Sequence, residues 1–515
     1  MQTVTEAWKS EQQKRIITAE SLVEVSLNVG DPAAQADAAS SDNGHEVYSN
    51  SEHVADETEK DPARYAALEK NLWVLDGTFR VLPNNPPYGN NGFIGNVLSG
   101  EDGTFSILPT ITIMFSKVFT AVIPGVTITW ASAYDEWANA FRVTAYNGSE
   151  IVVQETISGN TSVTSVVSLD IQGYDKIEIE VLQWCKPYRR ARIQSILIGV
   201  EKTYTRTELM AFSHAMYVDP LSADLPKAEI KFEIKNLNGE YNPDNPTGVE
   251  KYLMERQAVK AKYGYRLDGK TEWIQCGTFY MSEWDTPQNG ITASFTARDL
   301  LEYMSDKYTG ASIGTLMEVA EAALTQAELP QKEDGTDRWL LWSGLSDLTV
   351  PAEVDLSGYT IAEVLQLIAN AACCVFYQDR FGVLHIEPLA GGATDYRIDQ
   401  DNSFSNSEIS LTKQLKAVNV NDSAAVVVNG AVGETQTVDN PLIGSDRAAV
   451  IGEWTKEYLK NRRILSGEWR ADPRLDVLDR VTVKNQFAES AVLVTEIEYS
   501  YNGAFRGTYE GRAGV

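Results

Sequence analysis

Two hairpins of the same layout constrain the fold of this chain most strongly. The first turns at Asn289-Gly290 and the second at Asn502-Gly503, and each lies between alternating strands. Asn-Gly is favoured in tight hairpin turns because both residues readily take a positive φ. A short strand precedes each hairpin, at 259–263 in the first case and at 480–484 in the second. The pattern predicts an internal duplication of one β unit.

A proline-rich turn precedes the first hairpin. Ile230, Phe232 and Ile234 alternate with polar residues, which indicates a strand with one buried face. The segment 241–248 then contains Asn242-Pro243 and Asn245-Pro246. Each Asn-Pro step favours an extended residue and removes a backbone donor, so we expect a rigid connection to a short helix. Its side chains suit a scaffold and not a catalytic site.

Length and charge limit the kinds of protein this can be. A chain of 515 residues is too long for one core, which makes three to five domains the reasonable expectation. The formal net charge of −28 argues against specific nucleic-acid binding, because binding to phosphates requires a basic face. An acidic wall would instead let DNA pass without sticking. A plain acidic soluble protein is the alternative interpretation of the same charge.

Strand and helix patterns divide the chain into five parts. The predicted fold class is mainly β with an α+β insert: an antiparallel, jelly-roll-like β-sandwich, two hub-type β-barrels and a small α+β domain. The helices of the insert are predicted at 313–327 and at 361–372, the latter opened by a capping box at Thr360. The predicted domains are the N-terminal strand and polar arm 1–70, the sandwich 71–202, the first barrel 203–305, the α+β insert 306–400, and the second barrel 401–515.

The N-terminal part predicts neither export nor a membrane span. Residues 1–15 are polar, so we expect no signal peptide and a short helix over 6–15. A strand follows at 22–29, and 31–61 is rich in Ala, Ser, Asp, Asn and Glu. Such a composition cannot form a core, so we expect an exposed arm that is ordered only where a partner holds it, or a plain linker. Synthesis in a reducing cytoplasm is the expected origin.

The residues that usually carry catalysis are sparse and scattered. The four histidines are His45, His53, His214 and His385, and none has the spacing of a zinc-binding helix. Neighbouring Cys373 and Cys374 lie in an apolar run, as small core residues do. The sequence also has no nucleophile elbow and no phosphate-binding loop. We therefore predict a protein that is not an enzyme and that has no catalytic residues, metal site or cofactor.

Aromatic residues near predicted loops of the sandwich suggest one binding site. They are Trp130, Tyr134, Trp137, Trp184 and Tyr188. Arginines follow at 189, 190 and 192. Exposed aromatic rings beside polar forks are suited to stacking against sugar rings, so glycan contact is the functional interpretation. Packing of these rings in the core and rim is the structural alternative, and it is the more common situation.

Several stretches resemble a known family. They are Tyr217-Val-Asp-Pro-Leu-Ser222 with Leu225-Pro226, Tyr241 to Gly248, Phe295-Thr-Ala-Arg-Asp299, Trp469-Arg-Ala-Asp-Pro473 with Asp479-Arg-Val-Thr-Val483, and Glu496 to Gly503. Together they look similar to a tail-tip or baseplate hub protein of a tailed bacteriophage, over about 208–515. Three stretches of the sandwich, 109–115, 125–129 and 187–193, look similar to discoidin or galactose-binding-like domains.

The resemblance implies a structural virion protein of the phage tail. The family's hub is a homotrimer whose two barrels per chain make a pseudo-sixfold ring, joining the tail tube to the distal tip and letting DNA pass. The partners it implies are the tail tube, the distal tail proteins and the tape measure protein, and the location is the virion tail, assembled in the host cytoplasm. The alternative is an adsorption protein whose sandwich binds a host-surface glycan.

Overall fold

The computed structural model describes most of the chain. It describes all residues except 56–68, 70–91, 222, 246–247, 268, 288–290, 331–337, 353, 390–392, 406, 431 and 515. Among the sequence predictions, the Asn289-Gly290 turn and the end of the predicted arm at 56–61 lie outside the described residues.

The N-terminal segment joins two parts of the molecule. Its elements are α1 (Glu6–Gln13), β1 (Glu20–Gly30), α2 (Pro32–Asp37), β2 (Ala39–Asp42) and a 3₁₀ turn (Ser51–His53). Thr5 begins α1 by accepting the Trp8 N–H, and the fully buried Trp8 ring meets Tyr265 edge to face at 4.8 Å. The predicted short helix at the start of the chain is therefore confirmed, and its tryptophan fastens it to the main sheet.

The first part of the predicted polar arm packs against the sandwich of the same chain. Strand β2 pairs with the sandwich strand Thr110–Phe119. Ala34, Val54 and Ala55 are fully buried in the sandwich core. Asp31 accepts the N–H groups of Ala33 and Ala34, which starts α2. This part of the arm is thus ordered by small apolar side chains that a composition argument undervalues.

The sandwich consists of antiparallel sheets around one core. Its elements are β3 (Phe93–Leu98), β4 (Thr110–Phe119), β5 (Ile123–Thr129), a 3₁₀ turn (Ser132–Tyr134), β6 (Ala138–Asn147), β7 (Glu150–Ser158), β8 (Thr164–Ile171), β9 (Tyr174–Trp184), β10 (Arg190–Ile193), β11 (Ser195–Leu197) and β12 (Gly199–Tyr204). The strand orders are β2-β4-β9-β6-β7, β11-β5-β8 and β10-β3. The predicted antiparallel sandwich is confirmed.

The first repeat follows the sandwich. Its elements are β13 (Leu209–Tyr217), β14 (Lys227–Lys235), a 3₁₀ turn (Glu250–Tyr252), β15 (Ala258–Leu267), β16 (Lys270–Asp285), β17 (Thr292–Arg298) and a second 3₁₀ turn (Leu300–Tyr303). The turn after β14 is tied by side chains: Asn236 accepts the Tyr241 N–H at 3.1 Å, and Asn245 donates to the Gly239 carbonyl at 2.9 Å. Tyr241 is buried, so the turn is anchored in the core.

An α+β unit interrupts the β structure. Its elements are α3 (Leu316–Gln326), β18 (Trp339–Leu341), a 3₁₀ turn (Ser343–Asp347), α4 (Ile361–Ala371), β19 (Cys374–Gln378), β20 (Leu384–Pro388) and β21 (Ala393–Ile398). Both helices begin with capping boxes, in which Thr315 and Glu318, and Thr360 and Glu363, satisfy each other's backbone donors. Strand β21 leaves this unit and joins the main sheet.

The second repeat contains a long insertion. Its elements are β22 (Glu408–Leu411), β23 (Leu415–Val420), β24 (Ser423–Val427), β25 (Glu434–Val438), α5 (Ala448–Leu459), β26 (Arg463–Trp469), β27 (Arg480–Lys484), β28 (Glu489–Tyr501) and β29 (Phe505–Ala513). Val418, Val426 and Ile451 lie in the core of the α+β unit. The insertion β23 to α5 therefore packs with that unit, although the predicted boundary at 400/401 assigns it to the second barrel.

The two predicted barrels share one sheet and one core. The thirteen-stranded sheet has the order β12-β1-β15-β16-β17-β14-β13-β28-β29-β26-β22, with β27 beside β28 and β21 beside β27. Ile230 and Phe295 of the first repeat lie in the same buried cluster as Val494 and Tyr509 of the second. The mainly β fold with an α+β insert is confirmed, and its two β units are fused edge to edge.

The strand orders confirm the predicted duplication. In the first repeat the order across the sheet is β15-β16-β17-β14-β13, and in the second it is β27-β28-β29-β26-β22. In chain order, both are third, fourth, fifth, second, first. Different orders would have refuted the duplication.

Backbone irregularities also coincide in the two repeats. A register shift separates Met281 from Glu283 in the first, and Val494 from Glu496 in the second. Each lies opposite a residue with a left-handed backbone, which is costly for any residue but glycine. These residues are Arg256 at φ 65° and Leu478 at φ 68°. Their N–H groups donate to the carbonyls of Met281 and Val494, each at 2.7 Å.

Candidate functional site: the sandwich end and the junction of the two repeats

One end of the sandwich is organised around a buried carboxylate. Glu136 is 1% exposed and accepts hydrogen bonds from Trp184 Nε1 at 3.0 Å and from Arg189 Nε at 2.9 Å. Lys186 Nζ lies 3.3 Å from the same carboxylate. A buried carboxylate needs such compensation, and here the cations come from the loop before β10. The cluster holds that loop in place at the end of the sandwich.

Two of the predicted glycan-contact residues belong to the core. Trp130 is fully buried and donates from Nε1 to Ser165 Oγ at 2.8 Å. Trp184 is 2% exposed, and its ring meets Trp130 edge to face at 6.1 Å. Neither ring can stack against a sugar in this structure, which corrects the expectation for these two residues. Their positions at strand ends suggested loops, but distant polar partners allow both indoles to be buried.

The other three aromatic residues are partly exposed. The Arg192 guanidinium lies 4.9 Å from the centre of the Tyr134 ring. The Trp137 N–H approaches the Cys185 sulfur at 3.3 Å, and the Tyr188 N–H donates to the Ser99 carbonyl at 3.1 Å. Tyr134, Trp137 and Tyr188 thus come from the same end of the sandwich, around the Glu136 cluster.

A second candidate site is the junction where the repeats meet. Strand β13 pairs with β28 from Phe212 opposite Tyr501 to Tyr217 opposite Glu496. The pairing continues past β13, because the Val218 N–H donates to the Thr495 carbonyl at 2.9 Å. The first strand of the first repeat, β13, therefore pairs with the fourth strand of the second repeat, β28. Two sequence-distant units become one surface at this junction.

A buried arginine of the α+β unit closes the junction on one side. Arg380 lies in the β19–β20 turn and donates to the carbonyls of Pro473 at 2.6 Å and Leu475 at 2.7 Å. Its Nε donates to the Asp476 carboxylate. The guanidinium also lies 5.8 and 5.9 Å from the rings of Tyr263 and Tyr499, one from each repeat. Arg380 thus ties three parts of the chain together.

His214 lies at the centre of the junction. It is 1% exposed, and its Nδ1 lies 2.8 Å from Tyr263 Oη and 3.2 Å from Cys276 Sγ. Burial, with the Arg380 charge, holds the pKa of His214 well below its usual value. Burial raises the pKa of the Cys276 thiol to about 12. Both groups are therefore neutral near pH 7, which suits a role in core packing better than a role in proton transfer.

A cavity opens beside this cluster. It has a volume of about 270 Å³, and its walls include His214, Cys276, Arg380 and Asp476 together with the chain start at Met1. The Met1 ammonium pairs with Asp479 at 2.8 Å, and Gln2 donates to Asp476 at 3.1 Å. The first residues of the chain therefore line the cavity.

Two of the other three histidines lie apart from His214 and from each other. His45 pairs with Asp42 at 3.0 Å, and about half of its side chain is exposed to solvent. His385 stacks on Tyr377 at 4.8 Å and lies 3.2 Å from Asp379. Over the residues that the structure describes, no group of three or more His, Cys, Asp or Glu side chains could hold a metal ion. Within the same part of the chain, no helix is both long and apolar enough to cross a membrane.

Sequence reasoning missed both Arg380 and the junction. Asp379-Arg380-Phe381-Gly382 is an ordinary turn in sequence, and a turn arginine is normally exposed. Nothing near Arg380 in sequence signals its carbonyl partners, which lie about a hundred residues away. The alternation of Phe212, His214 and Met216 was the available signal for the junction, since it places a histidine on a buried face.

Comparison with known proteins finds similarity to solved structures alone. No protein-family model matches the sequence, and no curated protein matches it. Among solved structures, the chain is similar to the 43 kDa tail protein of prophage MuSo2 from Shewanella oneidensis, with 13% identity and a TM-score of 0.43 over 60% of this chain and 93% of that one.

Two further solved structures give similar values. A tail protein from Neisseria meningitidis has 11% identity and a TM-score of 0.41, over 61% of this chain and 93% of its own. A prophage tail protein from Listeria monocytogenes has 12% identity and a TM-score of 0.38, over 61% of this chain and 91% of its own.

Proposed function

We propose that this chain is a non-enzymatic structural protein of a phage tail tip or baseplate. In this role it forms a homotrimeric hub that joins the tail tube to the distal tip. The observation that carries the proposal is the pair of repeats with one strand order, fused in a single sheet. A closed ring is built from like units at equivalent positions, and two units per chain give six positions in a trimer.

The residues that resemble hub proteins lie at the structural joints of this sheet. Asp219-Pro220 follows β13, and Asp472-Pro473 supplies a carbonyl that holds Arg380. The Trp469 ring and the Tyr499 ring pack in the shared core, 6.0 Å apart. These stretches therefore support the resemblance as elements that build the double unit. Tail tube, distal tail and tape measure proteins are the partners of this proposal.

The net charge supports a channel that DNA can cross. With −28 over the chain, a ring of three copies carries a strongly acidic surface. Like charges repel a phosphate backbone, so DNA would slide past such a lumen without binding it. Specific nucleic-acid binding is not part of the proposal.

The proposal is tested by the architecture of assembled tails. Electron cryomicroscopy of the virion tail should show three copies of this chain around an axial channel, each contributing two positions to a ring. Light scattering of the purified full chain should give three times the chain mass. A single copy per tail, or a ring without an axial opening, would refute the hub.

The second candidate is glycan binding by the sandwich, proposed on a reduced set of residues. Tyr134, Trp137 and Tyr188 are partly exposed at one end of the sandwich. Binding of the full chain to host-surface polysaccharide should fall at least tenfold in the W137A and Y188A variants. A variant at the opposite end, I151A, which removes an exposed side chain of β7, serves as the control. Absence of binding to any polysaccharide of the host surface would remove this candidate.

A further inference from the structure

Strand β22, the edge strand of the second repeat, exposes two apolar side chains. The side chains at the corresponding positions of β13 in the first repeat are buried. The register can be followed from the bulge across the sheet, from each residue to the one paired with it on the next strand. In the first repeat these residues are Met281, Ala297, Ile230 and His214. In the second repeat they are Val494, Gly511, Leu465 and Ile409. His214 thus corresponds to Ile409, and Met216 to Leu411. His214 and Met216 are 1% and 6% exposed, whereas Ile409 and Leu411 are 45% and 65% exposed.

Strand β22 also has one unused row of backbone groups. It is the last strand of the sheet, and within the described part of the chain it pairs only with β26. The Thr412 N–H donates to the Arg462 carbonyl across that pair. Because backbone groups alternate along a strand, the N–H groups of Ile409 and Leu411 point away from β26. An open edge of this kind is a template for pairing with another strand.

The strand segment that could receive β22 lies at the end of β16. In the second repeat, β28 pairs with β27 up to Leu493 and then with β13 from Glu496 onward. In the first repeat, β16 pairs with β15 up to Tyr280, after which Met281 exchanges backbone hydrogen bonds with Arg256 and Gln257. From Glu283 to Asp285, β16 pairs only with β17 among the described residues. This segment corresponds to the part of β28 that receives β13.

We infer that two copies of this chain associate head to tail, with β22 of one copy adding to residues 283–285 of β16 in the next. The junction inside each chain supplies the register. Met216 lies opposite Ile497 there, which places Leu411 opposite Trp284 and Ser410 opposite Asp285 in the contact between copies. This inference rests on the proposed hub, for which it names the surface that joins neighbouring copies.

The side chains at the two edges fit each other. Trp284 packs partly against the shared core and is half-buried, so an apolar residue opposite it would complete its burial, as Met216 does for Ile497. Asp285 makes the β16 end acidic, together with Glu283, which also lies 3.5 Å from Arg298. Arg462 and Arg463 make the end of β22 basic, whereas the nearby Lys413 is already paired with Glu434. Opposite charges favour this pairing over β22 with β22 or β16 with β16.

The contact is heterologous, because each copy uses two different edges. Such a contact closes into a ring if its rotation divides a full turn, and otherwise grows into a filament. The internal junction and the contact between copies would then be repeated forms of one interface. A trimer would contain three of each.

Disulfide trapping tests the register directly. In the internal junction, Ala215 lies opposite Glu498, and Ser410 and Asp285 take these positions between copies. Directly opposed residues of antiparallel strands have Cα atoms about 4.5–5.5 Å apart, within reach of a disulfide. The S410C/D285C chain should therefore form reducible two-chain and three-chain species under mild oxidation. The S410C/K270C chain, with its cysteine at the other end of β16, is the matched control, and the native chain with its free cysteines gives the background.

The outcomes separate this contact from the proposed trimer. Crosslinks that stop at three chains support both. Crosslinks that extend without limit support the contact but refute threefold closure. A trimer by light scattering that crosslinks no faster than the control refutes the contact and leaves the hub standing. A monomer without crosslinks up to high concentration refutes both.

A second variant tests the backbone part of the contact. L411P removes an N–H that points away from β26, and proline is tolerated at such edge positions. We expect the melting temperature of the monomer to stay within a few degrees while self-association weakens at least tenfold. Unchanged association would refute pairing through this edge. L411A keeps the N–H and removes the side chain, so it measures the apolar share separately.

Discussion

The first strands of the two repeats occupy the same place in one topology and have different surroundings. Strand β13 lies between β14 and β28, and its inward residues Phe212, His214 and Met216 are buried. Strand β22 lies beside β26, and Ile409 and Leu411 at the matching positions are exposed. Burial here is decided by the neighbouring strand and not by the strand itself. The same strand position therefore forms a contact within the chain in the first repeat and an exposed edge in the second.

The connections of the two repeats differ more than their strands do. A short loop joins β13 to β14, whereas β23 to α5 are inserted between β22 and β26. The bulge and the left-handed residue opposite it remain in both. The strands and the bulge therefore form the constant part of the unit, and insertions are accommodated where the chain leaves the sheet.

The largest expected effect concerns Arg380, which closes the internal junction. R380A leaves the Asp476 carboxylate and the carbonyls of Pro473 and Leu475 without their buried partner. Loss of one partner of a buried ion pair costs about 3–5 kcal/mol, so the free energy of unfolding should fall by about that amount. The control R397A removes an arginine that is 40% exposed and pairs with Glu489, and it should cost less than about 1 kcal/mol.

Denaturant unfolding of both variants checks this prediction. Equal losses for R380A and R397A would mean that Arg380 is hydrated and does not join the repeats. Arg380 would then no longer be a structural difference between the internal junction and the open edge of β22.

Matched truncations at the two first strands should have different effects. M216A removes a buried side chain, and large-to-alanine changes in a core cost about 2–5 kcal/mol. L411A changes an exposed residue at the corresponding position, and surface changes usually stay within about 0.5 kcal/mol. Both are measured by unfolding at concentrations where the chain is monomeric. A cost for L411A close to that of M216A would show that β22 is already covered within the single chain.

The left-handed residues should respond alike in both repeats. At φ 65° and 68°, Arg256 and Leu478 take a backbone conformation that β-branched side chains tolerate least. R256V and L478V should each lower the free energy of unfolding by about 1–2 kcal/mol, and the glycine variants should be neutral or stabilising. Similar values in the two repeats would support a common bulge. A loss in one repeat alone would mean that the bulges are held by different interactions.

Local patterns in the sequence predicted the elements of this structure and the duplication. Alternation at Ile230, Phe232 and Ile234 predicted β14, and Thr360 with Glu363 predicted the start of α4, because both signals come from residues within one element. The repeated Asn-Gly hairpins predicted two units for the same reason. These features need no knowledge of distant contacts.

Features made by distant contacts were missed or wrongly predicted. Trp130 was expected near a loop surface, and its burial depends on Ser165, which no local pattern connects with it. Arg380 is buried because a loop almost a hundred residues later offers carbonyls to it. Ile409 and Leu411 alternate with polar residues as in any half-buried strand, so the sequence does not reveal that their partner strand is absent from the described chain.

The last expected difference between the repeats is a pH dependence in the first repeat. Asp299 follows β17 and Ala513 holds the corresponding position in β29, since Arg298 and Arg512 are matched in the registers. The Asp299 carboxyl accepts the N–H groups of Leu301 and Ala228, yet burial raises its pKa to about 7. Between about pH 4 and pH 7 the folded chain therefore keeps a proton that the unfolded chain has released.

Because the folded state binds more protons in that range, stability from this group is present below about pH 4 and is lost as pH rises towards 7. D299N has no ionisable group at this position, so its stability relative to the native chain should increase across the same range. Denaturant unfolding of both chains at pH 4.5, 6 and 8 measures the difference. If the difference stays constant with pH, Asp299 is ionised in the folded state throughout, and its two backbone hydrogen bonds outweigh the cost of burial. The ends of the fifth strands would then give the two repeats no difference in the pH dependence of their stability.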